Sequence, residues 1–174
     1  MVSADFSLPA SANVLWKGEV SAGLTGVETN NYPSDHMRRQ LSILANPEFT
    51  MFDQQLRIYP ALRLDAYSDF GAVLSPSLGL NYELFADKIF LRGQLSRDYN
   101  PPTFNALYWG QGGNPNLQPE RSKSAETGVT ITPKSASFSS IKLTAFYSLI
   151  DNGIRWYPGD NGVYSPSNVE QITT

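Results

Sequence analysis

The sequence predicts an all-β chain, an antiparallel up-and-down meander of about eight long strands of the kind that closes into a transmembrane barrel. Three observations predict it. Apolar and polar residues alternate with a period of two along most of the chain, the alternating segments are long, and the connections between them alternate between tight and extended.

Alternation is cleanest over residues 55–67. Leu56, Ile58, Pro60, Leu62, Leu64 and Ala66 fall on one face, and Gln55, Arg57, Tyr59, Ala61, Arg63, Asp65 and Tyr67 on the other. Side chains of a strand point alternately to its two faces, so this segment is a strand with one apolar and one charged side. The same pattern can be followed in order along the chain. Val14, Trp16, Val20, Ala22 and Leu24 oppose Lys17, Glu19, Ser21 and Thr25; Leu41, Ile43, Ala45, Phe49 and Met51 oppose Gln40, Ser42, Asn46, Glu48 and Thr50. After residues 55–67 come Pro76, Leu78, Leu80, Tyr82 and Leu84 against Ser75, Ser77, Gly79, Asn81 and Glu83. Ile89, Leu91, Gly93 and Leu95 then oppose Lys88, Arg92, Gln94, Ser96 and Asp98. Ala125, Val129 and Ile131 oppose Ser124, Glu126 and Thr130, and Ile141, Leu143, Ala145, Tyr147 and Leu149 oppose Lys142, Thr144 and Ser148. An eighth, poorer segment runs from Asn168 onward.

Segment length separates two readings of this alternation. These segments run to roughly 10–13 residues, where strands of soluble proteins cluster near 5–6. A tilted membrane-spanning strand needs about 9–11. Tight turns are expected at residues 52–54, 85–87 and 133–137. Longer connections rich in Gly, Asn, Pro and aromatics are expected at 28–38, 66–74, 100–120 and 151–167. Outer-membrane barrels show this asymmetry, with short periplasmic turns and longer external loops.

Composition narrows the function classes. The 174 residues carry 13 basic and 16 acidic side chains, a net charge of −3 without the basic stripe that a nucleic-acid partner requires. With no cysteine, disulfides, thiolate metal sites and cysteine nucleophiles are excluded. No apolar run reaches the length of a transmembrane helix, and residues 1–12 lack the basic-then-apolar order of a signal peptide. The mean hydropathy of −0.29 suits a barrel wall, whose strands are apolar on the lipid side alone.

Several stretches resemble TonB-dependent outer-membrane receptors. These are Leu74-Ser75-Pro76-Ser77-Leu78-Gly79-Leu80, residues 90–97, and the run from Pro101 to Tyr108. The likeness peaks in Gly113-Asn114-Pro115-Asn116-Leu117-Gln118-Pro119-Glu120-Arg121-Ser122, followed by residues 124–128, and continues in residues 143–147 and 150–152. It covers roughly the last two thirds of the chain. Ser77 and Tyr99-Asn100 depart from residues frequent in the family. The resemblance implies that residues 1–174 are a partial barrel domain, from which the plug, the other barrel strands and the C-terminal strand are absent. The whole would be a large plugged barrel of about 22 strands in the outer membrane of a Gram-negative bacterium. It would import a scarce, bulky nutrient such as a ferric siderophore, haem or cobalamin, with energy from TonB through the plug. Its partners would be outer-membrane lipid, the nutrient and TonB, and an isolated fragment would self-associate through its bare edges and apolar face.

Candidate residues follow from both readings. Pro101, Asn114, Pro115, Asn116, Leu117, Pro119 and Glu120 form the family motif. Pro115 and Pro119 lack backbone donors and end strand pairing, and Asn114 and Asn116 favour local turns, so the motif reads as a rigid loop-to-strand junction. Tyr99, Tyr108, Trp109, Gln111, Trp156, Tyr157 and Tyr164 fall on expected external loops, where aromatic and amide groups offer contact area to a bulky ligand. No catalytic constellation emerges. His36 reads as a solvated loop residue without metal-ligand partners. The pairs Asp65 and Asp69, Asp151 and Asp160, and Glu120 and Glu126 read as wall or turn residues rather than glycosidase carboxylates. The chain is therefore expected to be no enzyme and to hold no metal or cofactor. Two other classes fit the alternation: a complete eight-stranded structural barrel, and a soluble carbohydrate-binding β-sandwich.

Overall fold

The computed structural model describes residues 1–86, 88–133, 139–159 and 162–174. Its strands are β1 (Val2–Ser11), β2 (Val14–Val27), β3 (His36–Ala45), β4 (Glu48–Met51), β5 (Leu56–Tyr67), β6 (Gly71–Phe85), β7 (Ile89–Asn100), β8 (Glu120–Ile131), β9 (Ile141–Pro158) and β10 (Tyr164–Thr173). One short helix, α1 (Phe104–Tyr108), lies between β7 and β8. All ten strands belong to a single antiparallel sheet in sequence order, with β4 pairing β2 and β5 beside β3. This is the expected all-β meander. The sheet has no second sheet against it among the described residues, so its architecture is not that of a sandwich.

The strand count exceeds eight for two physical reasons. First, β1 adds a strand that the sequence reading omits, although Val2, Ala4, Phe6 and Leu8 alternate with Ser3, Asp5, Ser7 and Pro9. Its two-residue hairpin at Ala12 and Asn13 zips it along β2, Leu8 opposite Trp16 and Val2 opposite Ala22. Second, β3 and β4 are one path interrupted. Ala45 faces Leu62 and Phe49 faces Ile58 on β5, while Gly18 faces Ala45 and Val14 faces Phe49 on β2, so register passes through the gap without a slip. Pro47 has no N–H to give to the ladder, and only the hydrogen bonding lapses there; the Asn46 amide still donates to the Lys17 carbonyl at 2.9 Å.

Two expected long loops are replaced by strand. The connection placed at residues 66–74 is a tight turn, because β5 continues to Tyr67 and β6 starts at Gly71, which sits at φ +70°. Glycine adopts that left-handed conformation without a Cβ clash. The connection placed at 151–167 shrinks likewise: β9 runs on to Pro158 and pairs with β10, Trp156 opposite Pro166 and Tyr164 opposite Pro158. The turn at 52–54 is present, with Phe52, Asp53 and Gln54 all at positive φ. Of the turns expected at 85–87 and 133–137, Asp87 and residues 134–137 lie outside the described residues, as does Asp160.

Register aligns the faces across the sheet. Met51, Leu56, Tyr82, Leu91, Val129 and Leu143 are successive cross-strand partners, and one row along Ile58, Leu80 and Gly93 repeats the composition. Leu78, Leu80, Leu95 and Leu143 are exposed, as are Val20, Ile43 and Leu62. A face so broad, apolar and uncovered is unsuited to water. The opposite face carries ion pairs. Lys17 bonds Glu48 at 2.7 Å, Arg63 bonds Asp65 at 2.9 Å, and Arg92 lies 3.4 Å from Glu126. Asp65 also accepts from the Ser42 hydroxyl and from Gln40 at 3.2 Å.

The face assignment has a direct test. Leu80→Arg, in the middle of the apolar face, should destabilise the barrel in lipid by about 2–4 kcal/mol, and Asn81→Arg, its neighbour on the polar face, by far less. Equal losses in reversible unfolding from bilayers would show that the faces are misassigned.

Candidate functional site

The residues singled out from the sequence converge at one end of the sheet, where segment 101–119 joins β7 to β8. The segment begins with Pro101 and Pro102. Thr103 caps α1, its side chain accepting from the Ala106 amide at 3.2 Å. The helix stops after one turn, and the amides of Gly112 and Gly113 return to the Trp109 carbonyl at 3.1 and 2.6 Å. A Cβ at Gly113 would stand 2.5 Å from the Trp109 nitrogen and 2.9 Å from the Leu107 carbonyl oxygen, so the chain can fold back here only with glycine.

Segment 101–119 lies over the polar face. Arg38 shares that face with Gln40 and Ser42, and it holds the segment from below. Its Nε donates to Asp69 at 2.7 Å and its Nη2 to the Pro102 carbonyl at 2.9 Å. Its guanidinium carbon also sits 5.2 Å from the Phe70 ring centre and 5.0 Å from that of Phe104. Further aromatic side chains join it. The His36 ring stacks on Tyr108 at 3.5 Å and 7°, and Tyr32 meets His36 edge-on. His36 is therefore the half-buried first residue of β3 and not a solvated loop residue. The amide of Gly110 donates to the Asn31 carbonyl at 2.8 Å, which ties in the 28–35 connection as well.

A small core seals the other side. Ala106, Leu107 and Leu117 are buried, with Phe70, Tyr108, Ile154 and Trp156 packed on them. The motif residues then fasten the segment to β9 and β10. Asn114 donates to the Pro166 carbonyl at 3.1 Å, and its side-chain oxygen accepts the Asn116 amide at 3.0 Å. Asn168 bonds both backbone groups of Gln118, at 2.8 and 2.9 Å, and the Asn152 carbonyl at 2.7 Å. Glu120 accepts from the Ile154 amide at 2.7 Å and from Asn100 at 2.8 Å. Leu117 is buried, Pro102 is fully buried, and Pro101 and Pro119 are half-buried, while Pro115 and Asn116 are exposed at the bend. The motif holds chain to chain.

The seven aromatic and amide candidates divide into two groups. Tyr99 is on β7 and Trp156 and Tyr157 are on β9, with Tyr164 opening β10, so these four are strand residues and not loop residues. Tyr108 is in α1, and Trp109 and Gln111 follow it. Packing occupies Tyr108 on His36, Trp109 against Trp156 with ring centres 5.9 Å apart, and Tyr99 near Tyr67 at 5.9 Å. Gln111, Tyr157 and Tyr164 are exposed. Sequence reasoning missed Arg38, His36 and Asn168. Their one signal was position: His36 and Arg38 extend the polar-face alternation of Gln40 and Ser42 beyond the expected strand end.

Asn168→Ala removes three hydrogen bonds to backbone and should cost about 1–3 kcal/mol, loosening the junction without unfolding the sheet. Amide exchange at Gln118 should accelerate while exchange in β5 and β6 stays unchanged; unaltered exchange at Gln118 would show that Asn168 holds nothing.

Comparison with known proteins places this geometry. A family model described as TonB dependent receptor-like, beta-barrel, matches residues 4–174. The chain is 36% identical over 111 residues to the vitamin B12 transporter BtuB of Vibrio vulnificus, a match covering 63% of this chain and 18% of that protein. It is 31% identical over 115 residues to the vitamin B12 transporter BtuB of Photobacterium profundum, covering 64% and 18%. Among solved structures it is similar to the siderophore receptor PirA from Pseudomonas aeruginosa, with a TM-score of 0.83 at 18% identity over 98% of this chain and 34% of that one. The FrpB iron transporter from Neisseria meningitidis gives 0.74 at 11% identity over 97% and 30%. These structural likenesses concern the fold, and the matches span under a fifth of the curated relatives and about a third of the solved chains.

Proposed function

Because the chain belongs to the TonB dependent receptor-like β-barrel family and is an outer-membrane protein of the Gram-negative kind, we propose that it forms part of the wall and rim of a receptor that takes up cobalamin. Its curated relatives are vitamin B12 transporters and its structural neighbours siderophore and iron receptors, which are transporters and receptors rather than enzymes. A ferric siderophore or haem is the second reading, and it rests on those structural neighbours. In either case energy would come from TonB through a plug seated against the polar face, and the end bearing segment 101–119 would face outward.

One observation carries the proposal. Segment 101–119 folds over the polar face and is clasped there by Arg38, Asn168 and Glu120, leaving Gln111 and Tyr164 exposed on a fixed support. Tyr157, next to the inward-packed Trp156 on β9, falls on the opposite face. Binding groups held by rigid elements lose little freedom when a ligand arrives. Tyrosines add contact area with a polar tip, which suits a large ligand that is part apolar and part amide. Trp109, Trp156 and Tyr108 support that rim from beneath.

Two outcomes follow. In the complete receptor, Gln111→Ala with Tyr164→Ala should weaken cobalamin binding about tenfold or more, the usual cost of truncating an anchor at an interface, with the barrel intact. Unchanged affinity in equilibrium binding, together with unchanged affinity in Trp109→Ala and Trp156→Ala, would remove the rim from ligand recognition. Expressed alone, residues 1–174 should associate or require detergent, since β1 and β10 each have one partner and an open edge. A detergent-free monomer in solution scattering would contradict that.

A further inference from the structure

The apolar face carries a pair of cations. On β7 it runs Ile89, Leu91, Gly93 and Leu95, and on β8 Ile131, Val129, Thr127 and Ala125; the next residue of that face is Arg97 on one strand and Lys123 on the other. These two are direct cross-strand partners, one step beyond the partnered Leu95 and Ala125. Both are exposed. Neither side chain has a hydrogen bond or ion pair among the described residues. The adjacent acid, Asp98, is turned to the other face, where the Ser96 and Ser122 hydroxyls bond it at 2.8 and 3.5 Å.

This arrangement differs from four cations of the polar face. Lys17, Arg38, Arg63 and Arg92 each have a carboxylate within 3.4 Å. Like charges directly opposite on paired strands repel, so Arg97 and Lys123 oppose each other until an anion lies between them. Toward the middle of the sheet their surroundings are apolar: Leu95, Ala125 and Tyr147 are successive partners on the adjacent row, and Leu149 is the next partner of Lys123. Toward the end of the sheet the next row of this face is Tyr99, Arg121 and Asp151, which adds a third cation and one carboxylate. Leu95 and Tyr147 are exposed, at 58% and 53%. Long basic side chains at the edge of a bilayer reach for the head-group layer while their stems lie on apolar surface.

We propose that Arg97 and Lys123 form a binding site for the phosphate head group of an anionic phosphorylated lipid, whose acyl chains lie on Leu95, Ala125 and Tyr147. A guanidinium grips phosphate through two parallel hydrogen bonds and an ammonium adds a point charge. The apolar floor is what selects a lipid over free phosphate, because a soluble anion gains nothing from it. The site rests on the outward direction of the apolar face and not on the identity of the transported nutrient.

The test uses the complete receptor in nanodiscs of phosphatidylcholine, titrated with bisphosphorylated lipid A or with its dephosphorylated form and read by native mass spectrometry. Wild type should prefer the phosphorylated form about tenfold, the order expected for two basic residues at an anionic surface. Arg97→Gln with Lys123→Gln should abolish the preference. The charge-conserving Arg97→Lys with Lys123→Arg should keep it, and Arg39→Gln, removing a lone exposed cation on β3, should leave it unchanged. Heat-dependent gel mobility checks that each variant is folded. A wild type without preference, a double Gln variant that keeps it, an equal loss in Arg39→Gln, or displacement of the lipid by inorganic phosphate at comparable concentration would each overturn the lipid site. Uptake is not read, so failure of the transport proposal leaves this result interpretable, and the converse holds.

Discussion

In a bilayer there is no water to accept a backbone hydrogen bond, so a strand survives only if its neighbours take every N–H and C=O it presents. That constraint organises the sheet. It makes each strand long, makes each follow the last in antiparallel order, and holds the register constant enough that a residue facing lipid on one strand faces lipid on the next. The row from Met51 through Leu56, Tyr82, Leu91, Val129 and Leu143 is its visible product. Pro47 shows the constraint by its exception. One missing N–H interrupts the ladder for two residues, yet the partners on both sides keep β3 and β4 in line. Pairing on both sides of the gap therefore holds the course that a single proline cannot divert.

Once the wall is set, its polar face can be used as a bench for the loops. Segment 101–119 has too small a core to stand alone: three buried apolar residues and one helical turn. It is rigid because the sheet supplies what it lacks. Arg38 from β3, Ile154 and Trp156 from β9, and Asn168 from β10 reach it from three directions. Local rigidity at the rim thus depends on long-range register, since a slip of one residue in β3 or β10 would turn Arg38 or Asn168 away.

How much of this could be read in the sequence depended on how local its cause is. The period of two over residues 55–67 depends only on neighbours in the chain, so the faces and most of the strands were legible. β1 was harder, because its short polar and small residues give a weak local signal and its partner on β2 fixes it. Residues 151–158 carry Asn, Gly, Trp and Tyr, a composition that reads as loop, but pairing with β10 draws them into strand; Asn152 accommodates this at φ 56°. The motif from Asn114 to Glu120 was legible as a junction because its prolines and asparagines act locally. Its holders were not: Arg38 lies 64 residues from Pro102 and Asn168 lies 50 from Gln118, and no local pattern connects such distances.

The clasps share a chemical habit. Arg38 bonds the carbonyl of Pro102, Asn114 that of Pro166, Asn168 the backbone of Gln118 and Asn152, and Glu120 the amide of Ile154. What each recognises is main chain, which nearly every amino acid presents alike. Gln118 is therefore held whatever side chain it carries, provided that its neighbours still follow the same path. A receptor built this way can exchange its exterior chemistry piecemeal, keeping one rim shape while its selectivity drifts toward a different cargo.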